Sequence, residues 1–129
     1  MNVLGIDIGG SGVKGAIVDI KSGELLSEKI RFPTPNKPTP KKIFDGIKSN
    51  ILDELKWDGN VGCGFPGVVK KNKIYSAANI EKKWIGLNLK KKFHKKFNLR
   101  CKAINDADAA GLSEIALNPN VLNLSLIHI

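Results

Sequence analysis

Cysteine is scarce in this chain. Cys63 and Cys101 are the only two, and neither has a partner at Cys-x-x-Cys spacing. That excludes a zinc ribbon or a dithiol redox motif, and two buried structural thiols are expected rather than a disulfide or a metal pair. Long apolar runs are missing as well, so no membrane-spanning segment and no membrane partner are expected. Met1 leads straight into an apolar segment, which leaves no room for a signal peptide and implies a cytoplasmic location. Acid is in short supply: 12 Asp and Glu stand against 21 Lys and Arg, for a net charge of +9. An excess of that kind invites a polyanionic partner. Arginine is almost absent, with only Arg31 and Arg100. Lysine, asparagine and isoleucine are all plentiful, a bias that an AT-rich genome also produces. There is no helix-turn-helix pattern, zinc motif or basic strand interleaved with aromatics, so no nucleic acid is expected.

What the chain does have is glycine, placed early. A length of 129 residues with 42% hydrophobic content suits one domain with a real core. That domain opens on Asp7-Ile8-Gly9-Gly10-Ser11-Gly12-Val13-Lys14-Gly15, between apolar runs from Val3 to Ile8 and from Val13 to Ile20. Backbone N–H groups can approach an anion closely where no Cβ intervenes, and a phosphate chain is the natural ligand. Gly10-x-Gly12-x-x-Gly15 has the letters of a dinucleotide loop, but that motif must open a helix and be followed by an acid on the next strand. Here β-branched residues follow, and then the turn Lys21-Ser22-Gly23-Glu24, which reads as a strand and a hairpin. No Gly-Lys-Ser/Thr supports a P-loop. A strand–glycine turn–strand phosphate hairpin fits, with Asp7 at the tip of the first strand. A plain glycine-rich turn without a ligand is the alternative.

Residues 2–8, 13–20 and 25–32 read as three consecutive strands. Pro33, Pro35, Pro38 and Pro40 then mark an extended loop. Thr39 is a plausible N-cap with Pro40 at the first helical position. Ile43, Ile47, Ile51 and Leu55 recur every four residues, an amphipathic helix that Trp57-Asp58-Gly59-Asn60 ends. Val61 to Phe65 is a short strand, and Val68 to Tyr75 suggests a hairpin around Lys71-Asn72. Asn88 caps a further helix, with Leu89, Phe93 and Phe97 on one face. Lys90, Lys91, Lys92, Lys95 and Lys96 cover the rest; a solvated lysine face and a polyanion track are both open. His94 on this helix reads as a surface residue. Arg100 to Ile104 is another strand, and Ala107 to Leu117 an alanine-rich helix. The pattern is that of a mixed α/β layered domain.

Asn105-Asp106 falls at the carboxyl end of a strand, where open α/β sheets place their sites, and at a helix N-terminus that favours an ionised carboxylate. Such an acid can take the proton of an attacking hydroxyl in phosphoryl transfer, or it can merely cap the helix.

Leu4-Gly-Ile-Asp-Ile-Gly-Gly-Ser-Gly-Val-Lys-Gly15 resembles the first phosphate motif of the actin-like sugar-kinase superfamily. Within it the chain is similar to the ROK (repressor, open reading frame, kinase) family, and most to its polyphosphate glucokinases. Asn105-Asp-Ala-Asp-Ala-Ala-Gly111 resembles the family's Asn-Asp motif, and Phe65-Pro-Gly-Val-Val69, Ser76-Ala-Ala-Asn-Ile80 and Trp84-Ile-Gly86 resemble its sugar-side loops. The likeness covers the chain to about Leu117. It implies the actin-like ATPase, ribonuclease-H-like N-terminal domain of a two-domain sugar kinase over 1–117. It makes Asp106 the catalytic base, with Asn105, Asn79 and Gly67 as glucose contacts; Asp108 is expected on the helix surface. Gly9, Gly10, Ser11 and Gly12 would cradle the transferred phosphate. Lys14 would add charge unless its strand turns it away. Asp7 would orient magnesium through water. The implied reaction is phosphorylation of glucose at its 6-hydroxyl, with polyphosphate or ATP as donor, by a protein that is a homodimer when complete.

The resemblance also marks a departure. Family members run to roughly twice this length, and their second half supplies a second glycine-rich phosphate loop, further sugar-binding groups and the nucleotide pocket. Residues 118–129 are expected to be the start of that second domain or a non-native tail, and His128 is not a site residue. The chain is therefore expected to be a truncated frame, inactive alone because one half cannot close around its substrates. An ATP-only ROK sugar kinase and a non-catalytic polyanion-binding fragment are the competing readings. A ROK-type repressor, with its DNA-binding helices ahead of the loop, fits less well because few residues precede the loop here.

Overall fold

The computed structural model describes residues 2–19, 21–77 and 80–104. The expected helix at 107–117 lies outside that range. The first strand, β1 (Asn2–Ile8), is apolar at almost every position and buried from Val3 onward. It pairs antiparallel with β2 (Gly12–Asp19), from Asn2 opposite Asp19 to Ile8 opposite Val13. β2 pairs in turn with β3 (Ile30–Pro33).

The third strand is shorter than the 25–32 expected from sequence, and the reason is local. Ile17 donates its N–H to the Ser27 hydroxyl at 2.8 Å, so a side chain replaces a backbone carbonyl at that point of the ladder. Leu25 still bridges Val18, and the chain rejoins the sheet only at Ile30.

Thr39 caps α1 (Pro40–Ile47), its side chain accepting from the Lys42 N–H, with Pro40 at the helix start. The helix then widens into a π segment (Lys48–Leu52) and ends in a short α2 (Asp53–Leu55), with Lys56 left-handed at the C-cap. The four-residue apolar repeat explains the widening. At 3.6 residues per turn, a strict repeat of four drifts by about 40° each time. A wider π turn takes up that drift and keeps Ile43, Ile47, Ile51 and Leu52 all buried.

β4 (Val61–Gly64) lies parallel to β1 on its other side, and β7 (Cys101–Ile104) lies parallel to β4. The five-stranded order is β3-β2-β1-β4-β7. Between them come the hairpin β5 (Val69–Lys70) and β6 (Lys73–Ile74), a 3-10 turn (Lys82–Trp84) and α3 (Leu89–Phe97). Lys71 and Asn72 at the hairpin tip are both left-handed, the backbone of a tight two-residue turn. Asn88 caps α3 by accepting from the Lys91 N–H.

Both long helices pack on one face of the sheet. Leu4, Ile6 and Ile8, with Val13, Val61 and Cys63, form one core with Ile43, Phe44, Ile47 and Phe93. Phe44 is its hub: its ring centroid lies 5.2 Å from Phe93, 5.7 Å from Trp84 and 6.0 Å from Phe97. Across the sheet the register sets small residues side by side, Gly5 beside Ala16 and Gly62. Val3, Ala16 and Val18 on that face are buried but stand outside the helix-side core. Cys63 and Cys101 are free and buried. Among the described residues no helix is long and apolar enough to cross a membrane.

Candidate functional site

β1, β4 and β7 run parallel, so their carboxyl ends lie along one edge of the sheet. The glycine loop leaves from β1, Phe65-Pro66-Gly67 leaves from β4, and Asn105-Asp106 follows β7 directly in the chain. Asn105, Asp106 and Asn79 lie outside the described residues. The rest of the expected site is described.

The loop itself is a tight hairpin. Gly9 donates its N–H to the Gly12 carbonyl at 3.0 Å. A Cβ on Gly9 would sit 2.9 Å from that same oxygen, so close approach is what requires glycine there. Gly9 thus closes the turn, while Gly10 and Ser11 stand exposed at its tip. Thr34 clamps the loop from β3's far end. Its hydroxyl donates to the Gly9 carbonyl at 2.6 Å, and its N–H donates to the Ser11 carbonyl at 3.4 Å. Sequence reading gave Thr34 no role beyond its place in the proline loop. Only the register that brings Gly12 opposite Pro33 sets it against Gly9, 25 positions earlier, and Ser11.

Register also arranges the charged groups. Gly64, Asp7, Lys14 and Arg31 are successive cross-strand partners on β4, β1, β2 and β3. Directly paired residues share a face, so Asp7, Lys14 and Arg31 form one row beside the loop. Lys14 therefore lies on the Asp7 side of the sheet. Arg31 reaches further: its Nε would lie 2.6 Å from a Cβ on Gly12. The guanidinium thus lies over Gly12, at the end of a flexible side chain that could shift to admit a Cβ. Among the described residues neither Lys14 nor Arg31 is in an ion pair. Nothing in its local sequence marks Arg31 as a candidate, because the Gly12 that its guanidinium lies over is 19 residues away.

Asp7 is the one buried charged side chain among the described residues, 8% exposed at the end of β1. No cluster of three or more His, Cys, Asp or Glu is present among those residues. One carboxylate beside a glycine loop is a donor set that fits magnesium, which takes one or two carboxylates plus substrate phosphates and keeps several waters.

On the sugar-side loops, a Cβ on Gly67 would meet the Ser76 carbonyl oxygen at 2.0 Å. The two segments are stitched there, Val68 N–H donating to the Ser76 hydroxyl and Tyr75 N–H to the Val68 carbonyl. Glycine at 67 is thus explained by backbone crossing. Trp84 is fully buried, its ring 5.0 Å from Phe65 and its indole N–H on the Pro38 carbonyl at 2.8 Å. It ties the proline loop, the β4 exit and α1 together.

Residues 3–127 match the ROK family. The chain belongs to the ROK family. It is 37% identical over 125 residues to the polyphosphate glucokinase of Mycobacterium tuberculosis, covering 96% of this chain and 47% of that protein. Its structure is similar to the inorganic polyphosphate/ATP-glucomannokinase of Arthrobacter sp. strain KM, with a TM-score of 0.77 and 38% identity over 89% of this chain and 48% of that one. It is also similar to a ROK glucokinase from Streptomyces griseus, crystallised with glucose and AMPPNP, with a TM-score of 0.71 and 32% identity over 85% of this chain and 35% of that one. The fold is therefore that of the ROK sugar kinases, the actin-like ATPase class. The chain spans about half the length of the curated relatives it matches.

Proposed function

We propose that this ROK chain supplies the phosphate-loop half of a glucokinase that transfers phosphate from polyphosphate or ATP to the 6-hydroxyl of glucose. The observation that carries the proposal is the row Asp7–Lys14–Arg31 beside the clamped glycine loop. In phosphoryl transfer most catalysis is positioning and charge stabilisation. Gly10, Ser11 and Gly12 would face the transferred phosphate, with Gly9 and Thr34 holding the loop in shape. Lys14 and Arg31 supply positive charge against the donor chain. Asp7 would hold magnesium through water, and the ion would shield the phosphate oxygens. Asp106 would take the proton of the attacking hydroxyl. Asn105 and Asn79 would hold sugar hydroxyls. Gly67 would set the loop in which a sugar contact is made.

The names of the relatives support glucose as acceptor and both donors as candidates. A homodimer is the assembly we expect of the longer protein. The 129-residue chain alone is expected to turn over no glucose, because domain closure excludes water and completes such sites. The test is a chain completed with the C-terminal half of the M. tuberculosis relative, assayed for glucose 6-phosphate with each donor in turn. Turnover with polyphosphate supports the reading. No turnover with either donor would contradict it.

A further inference from the structure

Two clefts flank α3, and both are lined by cations. Lys71, Lys90, Lys91 and Arg100 line the first, next to the start of β7. Lys73, Lys83, Lys91, Lys92 and Lys95 line the second, on the other flank of the helix. Asn88 and Lys91 belong to both, so the clefts adjoin at the start of α3. No carboxylate is among the described residues lining either one. The ion pairs among the described residues lie elsewhere: Asp45 takes Lys41 and Lys96, and Asp53 takes Lys48.

This arrangement works against the free helix. A helix N-terminus favours negative charge, yet the first turn of α3 holds Lys90, Lys91 and Lys92 and no acid. Lys91 and Lys95 are four residues apart, where like charges repel. A concave surface of one sign focuses the field and concentrates counter-ions. An anion lying along the two clefts would relieve each of these costs together.

We propose that these adjoining clefts bind a chain of inorganic polyphosphate, as a tether for the donor separate from the glycine loop. The inference rests on the donor reading above for the identity of the polyanion. The lining itself argues against nucleic acid. Among the described residues it has Leu87, Leu99 and His94 but no Phe, Tyr or Trp on which bases would stack. Phosphate chains have no bases and need only spaced cations.

The test is a binding titration of the 129-residue chain with long-chain inorganic polyphosphate, tripolyphosphate and a single-stranded DNA of matched charge, at two salt concentrations. The wild type is expected to bind long-chain polyphosphate more tightly than the other two, with affinity falling as salt rises. Lys73→Glu, Lys91→Glu and Lys95→Glu together are expected to weaken long-chain binding about tenfold or more and to flatten its salt dependence. Lys21→Glu, Lys41→Glu and Lys56→Glu make the same charge change away from the clefts and are expected to weaken it far less. Equal losses in the two triple variants would overturn the assignment, since the effect would then be net charge. So would tighter binding of DNA. The readout needs no turnover, so a failed donor assay and a failed cleft assignment are told apart.

Discussion

Gly67 and Gly12 are glycine because something passes within van der Waals distance of each, and the two intruders differ. At Gly12 it is the end of a flexible Arg31 side chain, which can move. At Gly67 it is the Ser76 carbonyl, fixed by two hydrogen bonds to Val68. Gly67→Ala is therefore expected to force the two loops apart and to destabilise the fold by about 1–3 kcal/mol, as overpacking does. Urea unfolding measures this, and a variant as stable as the wild type would show that the crossing relaxes freely. A resemblance marks Gly67 in the sequence, while the structural reason for glycine there lies in a segment nine residues on. Arg31 and Thr34 make the same point from the other side, because each meets the glycine loop only through strand register.

At the scale of elements, the residue patterns that fix local structure were legible and the ones that depend on long-range pairing were not. Thr39-Pro40, Asn88 and Lys71-Asn72 mark two helix starts and a hairpin tip by their own chemistry, and the structure has all three. The four-residue isoleucine repeat announces a helix but not its π segment, which arises only when that repeat must meet a sheet. The early end of the third strand turns on Ser27 replacing a carbonyl, a substitution no periodicity shows. Of the candidate site, the glycine loop and Asp7 are legible by letter, while the row across β1, β2 and β3 needs the register. The paired strands β4 and β7 also carry a titration. Burial, with Cys63 against it, pushes the Cys101 thiol well above its usual range. Because the folded value is raised, this contribution is complete below the unfolded thiol's 9.0 and is lost as pH rises beyond it. Stability is expected to decline above pH 9.0 through this group, and Cys101→Val is expected to flatten part of that decline in unfolding curves taken on either side of it. An identical slope in both proteins would contradict the assignment.

For the whole molecule, the sheet has two unlike faces. One carries the helices and the aromatic hub around Phe44. The other carries Gly5, Ala16, Gly62 and Gly64, with Asp7, Lys14 and Arg31 at the edge where three parallel strands end. We propose that this edge holds a phosphoryl donor and that Asp106 serves as the base. The most direct measurement is paired on one protein, the chain completed with a relative's C-terminal half: glucose binding by calorimetry and glucose 6-phosphate formation, before and after Asp106→Asn. Binding within about threefold of the parent, with turnover lowered at least about a hundredfold, is the result expected of a lost general base. Turnover that survives the substitution would remove Asp106 from the mechanism and leave the phosphate row without a base to serve.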